Sequence, residues 1–325
     1  MRQSSRPCGR LAPSPTGHIH LGNAWAFLLA WLAARSQDGQ IVMRLEDIDP
    51  QRSRPEYATH LLEDLRWLGL DWDYGPDVGG PAGPYTQSDR GEVYASALKQ
   101  LEEAGMTYPC FCTRKELRQL AAAPHIDDAG APYPGTCRNL NEEQIQDMIR
   151  NGRRASIRLR CPQSPISFDD MLLGPQTFSL ADCGGDFALC RSDGVVAYQL
   201  AVAVDDALMG VNQVVRGRDI LPSTPRQIAL LQLLSYGAPS YAHVPLLLDE
   251  EGERLAKRHN SLSLRYLREQ GVDPNRIVGL LGMLAGLEVS SRAINPGELL
   301  PAFAWSRLPR QDVRIENSHL RALLQ

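Results

Sequence analysis

Residues 10 to 24, RLAPSPTGHIHLGNA, combine two prolines, two glycines and two histidines in one short stretch. The pattern predicts a strand ending at Ala12, a rigid turn with a freed backbone at Gly17, and a helix starting within HLGN. A helix start has unpaired N–H groups and the positive end of the helix dipole, so it can bind an anion. His20 can donate a hydrogen bond to a phosphate oxygen, and Gly22 lets a flat base approach the backbone. The stretch therefore predicts a nucleotide site, whereas an isolated H-x-G would more often contain a core histidine.

A second candidate site is rich in cysteine, since Cys110, Cys112 and Cys137 share one segment with Tyr133. Two thiolates one residue apart and a third after a loop suit a tetrahedral zinc ion, whose fourth ligand would be Tyr133 or His125. On the spacing alone, a zinc site and the simple burial of free thiols are about equally supported. The other cysteines are scattered and are expected to be small buried residues: Cys8, Cys161, Cys183 and Cys190.

Lysine is rare in this chain. Of its 34 basic residues, only Lys99, Lys115 and Lys257 are lysines, and the rest are arginines. A lysine is therefore unusual among the basic residues of this chain and calls for an explanation. Lys257 lies in EEGERLAKRHNS, a charged stretch that is predicted to be a loop.

The elements that must position these residues alternate between strand-like and helical patterns. Strands are predicted in PCGRLAP, QIVMRLED, ASIRLR and HVPLLLD, and helices in AWAFLLAWLAARSQDG, PEYATHLLEDLRWLGL and STPRQIALLQLLSYG, the last capped by Ser223 or Thr224. The segment 194–217 mixes both signals, and the chain from 261 is helical. The βαβα opening predicts an α/β fold with a doubly wound parallel sheet, in which ligands bind at the carboxyl ends of the strands.

Composition narrows the class of protein. The chain has 325 residues, 43% of them hydrophobic, and a net charge of −4, which argues against a surface that is basic throughout. Five arginines in RNGRRASIRLR, 150–160, suit either a solvated face or a contact with RNA. The cysteine number is odd, no leader pattern opens the chain, and the longest apolar run is too short for a bilayer. We expect a cytoplasmic protein with no membrane association and no disulfides.

Several motifs resemble the class I aminoacyl-tRNA synthetases in the form typical of their glutamyl branch. RLAPSPTGHIHLGNA resembles the ATP-binding signature of the class, and RLAKR, 254–258, resembles its lysine-bearing second signature. RLEDIDPQRSRPEY, WDYGPDVGGPAGPYTQSDR, YQLAVAVDDALMGVNQVVRGRDILPSTPRQ and HVPLLLDEEGERLAKRHN also resemble that branch, in the same order. The resemblance covers nearly the whole chain.

Within the branch, the chain resembles most the truncated subfamily that glutamylates queuosine in tRNA(Asp). This implies a Rossmann-type catalytic domain with a zinc-binding insertion, a short helical C-terminal region and no anticodon-binding domain. The expected division is a first half of the catalytic domain in 1–105, the zinc-binding insertion in 106–140, the rest of the insertion and the second catalytic half in 141–240, and the lysine loop with a helical subdomain in 241–325. Only 68 residues follow Lys257, and Val202 stands where full-length glutamyl enzymes usually have asparagine.

The resemblance also implies the chemistry. Glutamate would attack the α-phosphorus of ATP, bound with Mg²⁺, and a hydroxyl of the cyclopentene-diol of queuosine would then accept the glutamyl group. His20 and Lys257 would be catalytic, and the ATP site would contain His20, Gly22, Asn23 and Lys257. Asn23 replaces the usual histidine at the end of the signature.

The implied glutamate site takes residues from four places in the sequence. Arg10 and Arg216 would bind carboxylates and Glu46 the α-ammonium group; the full set is Arg10, Leu11, Ala12, Pro13, Ser14, Glu46, Tyr198 and Arg216. An alternative for Arg216 is a plain ion pair with Asp205, Asp206 or Asp219. The resemblance also favours a structural zinc ion held by Cys110, Cys112, Tyr133 and Cys137, with His125 as the alternative to the tyrosine.

The sequence leaves three hypotheses for the function of the chain. The first is an RNA-modifying ligase acting on queuosine-containing tRNA(Asp) as a monomer. The second is a glutamyl-tRNA synthetase that charges the 3′ end of tRNA(Glu). The third is a non-catalytic glutamate- or RNA-binding module, which the presence of both signatures disfavours because binding alone does not need the phosphate-transfer lysine.

Overall fold

The computed structural model describes residues 6–113, 115–117, 133–253, 255, 262–288 and 290–324. The helices in these ranges are α1 Leu21–Arg35, α2 Pro55–Trp67, α3 Gly91–Glu103, α4 Glu142–Arg150, α5 Tyr198–Leu208, α6 Thr224–Leu233, α7 Leu264–Glu269, α8 Pro274–Leu284, α9 Pro296–Leu299 and α10 Asn317–Leu324. The strands are β1 Cys8–Leu11, β2 Gln40–Met43, β3 Thr107–Cys110, β4 Ser156–Leu159, β5 Ile166–Asp170, β6 Gly174–Phe178, β7 Ala188–Cys190, β8 Gln213–Gly217, β9 Ser240–Val244, β10 Leu247–Leu248 and β11 Val313–Arg314.

The central sheet is built from two parallel pairs. β1 pairs with β2, and β8 pairs with β9, each in parallel register. β1 lies beside β8, because the Asn212 amide donates to the Cys8 carbonyl at 3.0 Å and the Cys8 amide donates to Asn212 Oδ1 at 2.8 Å. β5 adds to β9 in parallel and β6 adds to β5 antiparallel. The spatial order β2-β1-β8-β9-β5-β6 confirms the predicted α/β fold with a parallel sheet.

The sheet reverses its direction of winding between β1 and β8. Helix α1, between β1 and β2, packs in one core with Val215 and Ala242, and helix α6, between β8 and β9, packs in another core with Val214 and Tyr241, so the two helices cover opposite faces. The loops that follow β1 and β8 therefore separate at their carboxyl ends and open a crevice, as in other open parallel sheets.

Helix α1 is buried over most of its surface, since its leucines, alanines and tryptophans pack between the sheet and the C-terminal helices. The helix begins at Leu21, within the predicted HLGN start, and ends at Arg35 instead of Gly39. The Gly39 amide closes the end by donating to the Ala34 carbonyl at 2.9 Å. A Cβ atom at Gly39 would lie 2.6 Å from that carbonyl oxygen, so the turn needs glycine.

Two other boundaries differ from the prediction. HVPLLLD is interrupted at Pro245, which follows the end of β9 and has no N–H to continue the ladder, while its carbonyl accepts from Trp25 Nε1 at 2.8 Å. The mixed segment 194–217 divides into α5 and β8, which are separated by a turn with Gly210 at φ +71°.

A smaller antiparallel sheet carries the cysteine-rich segment. β4 is its middle strand, with β3 on one side and β7 on the other. The predicted insertion at 106–140 contributes β3, and the segment 141–240 contributes the other two strands. The C-terminal region is mainly helical, as expected, and its β11 pairs with β10. Among the helices of the described ranges, none combines the length and apolar character that crossing a membrane requires.

Candidate active site

A cavity of about 580 Å³ opens at the carboxyl ends of β1, β8 and β9. Most of the predicted ATP- and glutamate-binding residues line it: Arg10, Ala12, Pro13, Ser14, His20, Gly22, Asn23, Glu46, Tyr198 and Arg216. Residues the sequence did not single out also line it, including Thr16, His18, Trp25 and Leu255. The cavity is within the usual size range for small-molecule sites.

One side of the cavity is formed by the start of helix α1. His20 has extended backbone angles, φ −98° and ψ 167°, and is the N-cap, so Gly22 and Asn23 lie in the first turn. The first turn directs backbone N–H groups and the positive end of the dipole toward the cavity, which suits a phosphate. A Cβ atom on Gly22 would lie 3.2 Å from the His20 ring, so glycine leaves room for that imidazole.

The second signature meets the first at this point. Lys257 lies outside the described residues, but residues on both sides of it reach the site. Leu255 lines the cavity, Ser263 forms a β-bridge with His20, and the Leu264 amide donates to the Ile19 carbonyl at 2.7 Å. Leu255, the described residue of the second signature, therefore lies beside the same cavity as the first signature, far from it in the sequence.

Arg10 contributes a buried positive charge to the lining of the cavity. Its residue is 7% exposed, and Nη1 donates to the Val215 carbonyl at 3.2 Å. Nε lies 3.7 Å from Asp206 Oδ1 and has no hydrogen-bond partner among the described residues. Burial lowers the pKa of Arg10 from its usual value, although Asp206 acts in the opposite direction. The guanidinium thus keeps donors for a carboxylate ligand.

Arg216, on β8, is held by neutral side chains. Nε donates to His243 Nε2 at 3.2 Å, Nη1 to Gln227 Oε1 at 2.8 Å and Nη2 to Thr224 Oγ1 at 2.8 Å. A guanidinium has five N–H bonds, so one remains on each terminal nitrogen. Two parallel N–H groups of this kind match a carboxylate bidentately. Of the three alternative partners considered from the sequence, Asp205 and Asp206 are instead bonded to other arginines, and Asp219 lines the cavity.

Glu46 lines the same cavity and is bonded to a third arginine. Arg44 Nη2 and Nε donate to Glu46 Oε1 at 3.0 and 3.3 Å. Oε2 makes no hydrogen bond within the described part of the chain, and it can accept from an ammonium group. Burial raises the pKa of Glu46, against the effect of Arg44 and Arg10. A ligand cation beside it would favour the ionised carboxylate.

The remaining predicted positions take different places. Tyr198 is the first residue of α5 and is 37% exposed on the cavity. Leu11 is fully buried in the core and is not among the cavity-lining residues, while its carbonyl accepts from the Arg44 amide at 2.9 Å. Val202 is also buried within α5 and does not line the cavity.

Sequence reasoning missed a buried ionic network behind the cavity. Arg44 Nη1 donates to Asp206 Oδ1 at 2.7 Å, and Arg90 Nε donates to Asp205 Oδ1 at 2.7 Å. Asp205 Oδ2 also accepts from Tyr94 Oη at 2.9 Å. Burial lowers the pKa of Arg44, but the carboxylates outweigh it and the pKa is raised overall. The adjacent aspartates in AVDDALMG were a signal, because two carboxylates in an apolar helix require partners.

The cysteine segment forms a separate candidate metal centre. The Sγ atoms of Cys110, Cys112 and Cys137 all lie within 4.8 Å of one another, and Cys112 and Cys137 are 3.6 Å apart. Thiolates on a tetrahedral zinc ion lie roughly 3.8 Å apart, given Zn–S bonds of about 2.3 Å. The Cys110 thiol donates to Tyr133 Oη at 3.4 Å, so the tyrosine lies beside the three thiols. His125 lies outside the described residues. The cluster therefore fits a metal ion.

The arginines of 150–160 do not form a continuous exposed face. Arg158 is buried, packs over the Tyr133 ring at 3.9 Å and donates to the Asp186 carbonyl at 2.7 Å. Arg153 pairs with Glu116, and Arg160 donates to backbone carbonyls of the same small sheet and of the metal segment. Most of this basic run is bonded within the small antiparallel sheet and the segments next to it.

Several known proteins are similar to this chain in sequence. Residues 8–308 match the family model for tRNA synthetases class I (E and Q), catalytic domain. The chain is 63% identical to a glutamyl-Q tRNA(Asp) synthetase of Nitratidesulfovibrio vulgaris over 86% of both chains. It is 50% identical to one of Symbiobacterium thermophilum over 97% of this chain and 98% of the relative.

Longer relatives match as well. A glutamate–tRNA ligase of Nitrosococcus oceani is 42% identical over 96% of this chain but only 66% of its own length. The solved glutamate–tRNA synthetase of Elizabethkingia anophelis superposes with a TM-score of 0.84 at 26% identity, covering 98% of this chain and 70% of that one. With the signatures at one cavity and the family model spanning most of its length, the chain belongs to the class I tRNA synthetases of the glutamate and glutamine group.

Proposed function

We propose that this chain activates L-glutamate with ATP and transfers the glutamyl group to queuosine in the anticodon of tRNA(Asp). The observation that carries the proposal is the match with two glutamyl-Q tRNA(Asp) synthetases over most of their lengths. The glutamate–tRNA ligase relative extends well beyond the matched region. The cavity supports it with two buried arginines and one partly buried glutamate, a charge pattern complementary to a dicarboxylic amino acid.

In the first step, an oxygen of the glutamate α-carboxylate attacks the α-phosphorus of ATP. The bond from that phosphorus to the bridging oxygen breaks, and pyrophosphate leaves. Arg10 and Arg216 hold the carboxylates, and Glu46 accepts hydrogen bonds from the α-ammonium group. The start of α1 with His20, Gly22 and Asn23 holds the phosphates, and Lys257 neutralises charge on the leaving group. Mg²⁺ would accompany ATP and shield its phosphates.

In the second step, a hydroxyl of the cyclopentene-diol attacks the carbonyl carbon of the adenylate. An ester forms, AMP leaves, and the hydroxyl proton is released. Because the residues above hold the amino acid through both steps, the attacking hydroxyl must reach it through the open side of the cavity.

The cysteine cluster supports one zinc ion with a structural role. Cys110, Cys112, Cys137 and Tyr133 would supply all four ligands, which leaves no open position for a catalytic water. The ion would join β3 to the loop that returns to Cys137.

The deciding experiment is transfer of labelled glutamate, with ATP, to tRNA(Asp) purified with and without queuosine. We expect label only on the queuosine-containing tRNA, and we expect it to survive removal of the 3′ end. Label on tRNA(Glu) that leaves with the 3′ adenosine would instead support the glutamate–tRNA ligase activity that the longer relatives are named for. Absence of glutamate-dependent pyrophosphate exchange, with or without bulk tRNA, would support a binding module.

A further inference from the structure

His243 lies behind Arg216, in the middle of a chain of buried hydrogen bonds. Its residue is on β9 and fully buried, and β9 pairs with β8, so His243 is directly opposite Arg216 in the register. Nδ1 lies 2.6 Å from Asp170 Oδ2, and Nε2 lies 3.2 Å from Arg216 Nε and 2.9 Å from Thr224 Oγ1. No other group of this chain reaches Arg216 Nε among the described residues.

Asp170 has its own fixed position. Oδ1 accepts from the Leu172 and Leu173 amides at 3.0 and 2.8 Å, and Oδ2 accepts from the His243 amide at 3.0 Å. A carboxylate with these donors presents only an acceptor to the imidazole. His243 Nδ1 must therefore carry the hydrogen, which makes Nε2 the acceptor.

That tautomer is the one Arg216 needs. The guanidinium Nε can only donate, so an N–H at His243 Nε2 would oppose it. Burial lowers the pKa of His243 to about 4, despite the hydrogen bond to Asp170, so the ring is neutral at physiological pH. The imidazole, Gln227 and Thr224 together occupy one N–H on each nitrogen of Arg216.

We propose that Asp170 and His243 are positioning residues that orient Arg216 so that its two remaining N–H bonds face a substrate carboxylate. This inference rests on the proposed function, because it assigns the ligand of Arg216 as a carboxylate of glutamate. Neither residue lines the cavity, so their effect is on the geometry of Arg216 and not on contact with the substrate.

Two substitutions of His243 distinguish the roles of its two ring nitrogens. His243→Gln places an amide oxygen near the position of Nε2 and keeps an acceptor for Arg216. His243→Asn places its amide near Nδ1, so it keeps a donor for Asp170 but leaves Arg216 Nε without an acceptor. His319→Asn on α10 makes the same chemical change away from the cavity and serves as the control.

The measurement is the KM for glutamate and the KM for ATP in pyrophosphate exchange, with thermal unfolding of each variant. We expect His243→Asn to raise the glutamate KM about tenfold to hundredfold, as for loss of a hydrogen bond to a charged group, and to leave the ATP KM within about twofold. His243→Gln should change the glutamate KM about threefold at most, and His319→Asn should change neither KM. In an Arg216→Lys background, His243→Asn should have much less effect, because the two residues act as a unit.

Equal losses of kcat in both His243 variants, with an unchanged glutamate KM, would mean a merely structural role and would overturn the inference alone. A wild-type chain with no glutamate-dependent exchange would overturn the proposed function and this inference together. An additive effect of His243→Asn and Arg216→Lys would also overturn it.

Discussion

The buried imidazole of His243 should make the stability of the protein depend on pH in a predictable way. Its pKa is lowered from 6.5 to about 4 in the folded state, with burial as the main cause. Between these values the unfolded chain binds a proton that the folded chain excludes. Stability therefore falls as the pH drops below about 6.5 and stops falling, for this group, below about 4.

The size of the effect follows from the two pKa values. Linkage gives a loss of about 2 kcal/mol between pH 7 and pH 5 from this single residue. Asp170 remains ionised over that range. Burial alone would raise the pKa of Asp170, but the hydrogen bonds from His243 and the backbone outweigh it and lower the pKa below the ordinary 3.8. His243→Asn removes the titrating ring and keeps a donor for Asp170, so it isolates the contribution of the imidazole.

The assay is denaturant-induced unfolding of the wild type and His243→Asn at several pH values from 7 to 5. The difference in free energy of unfolding between the two proteins should shrink by about 2 kcal/mol across this range. His243→Gln is the companion variant, because it also lacks the ring and must show the same flattening. Parallel pH profiles for wild type and both variants would refute the reasoning, because they would mean that the folded protein accommodates a charged His243.

Three further predictions concern the site, the ionic network and the metal centre. Asp206→Asn should lower the free energy of unfolding by about 3 kcal/mol, because Arg44 would remain buried with less compensating charge; a loss under about 1 kcal/mol in denaturant unfolding would contradict this. Gly22→Ala should raise the KM for ATP about tenfold, since the new methyl group crowds the His20 ring, and an unchanged ATP KM in pyrophosphate exchange would count against that placement. Cys137→Ser should lower the bound zinc measured by elemental analysis, and its Tm should lie below that of the wild-type protein. An equal Tm of the wild-type protein with and without chelator would argue against a structural ion.

The central elements could be predicted because their patterns are local. The apolar runs of β1 and α1 are explained by a strand and helix buried on most sides, and most of the residues singled out through the signatures line one crevice. The boundaries were less accurate because they depend on distant contacts. Pro245 ends β9 where its carbonyl accepts from Trp25, 220 residues away.

The support behind the cavity could not be predicted for a similar reason. His243 is separated from Asp170 by 73 residues and from Arg216 by 27, and in HVPLLLD it resembles an ordinary core position of a strand. Only the pairing of β5, β8 and β9 makes these residues neighbours. Asp205 and Asp206 are visible in the sequence as charges in an apolar helix, but nothing local identifies Arg44 and Arg90 as their partners.

The meeting of the two signatures has a consequence for how the protein is made. Arg10 contacts Val215 across 205 residues, and His20 is bridged to Ser263. A ribosome adds about 5 to 20 residues per second, so the first signature waits on the order of 10 to 50 seconds for its partner. During that time the emerging chain lacks half of its cavity. Glutamate and ATP should therefore protect the growing chain against proteolysis only after Leu264, which bonds to Ile19 beside the cavity, has been added.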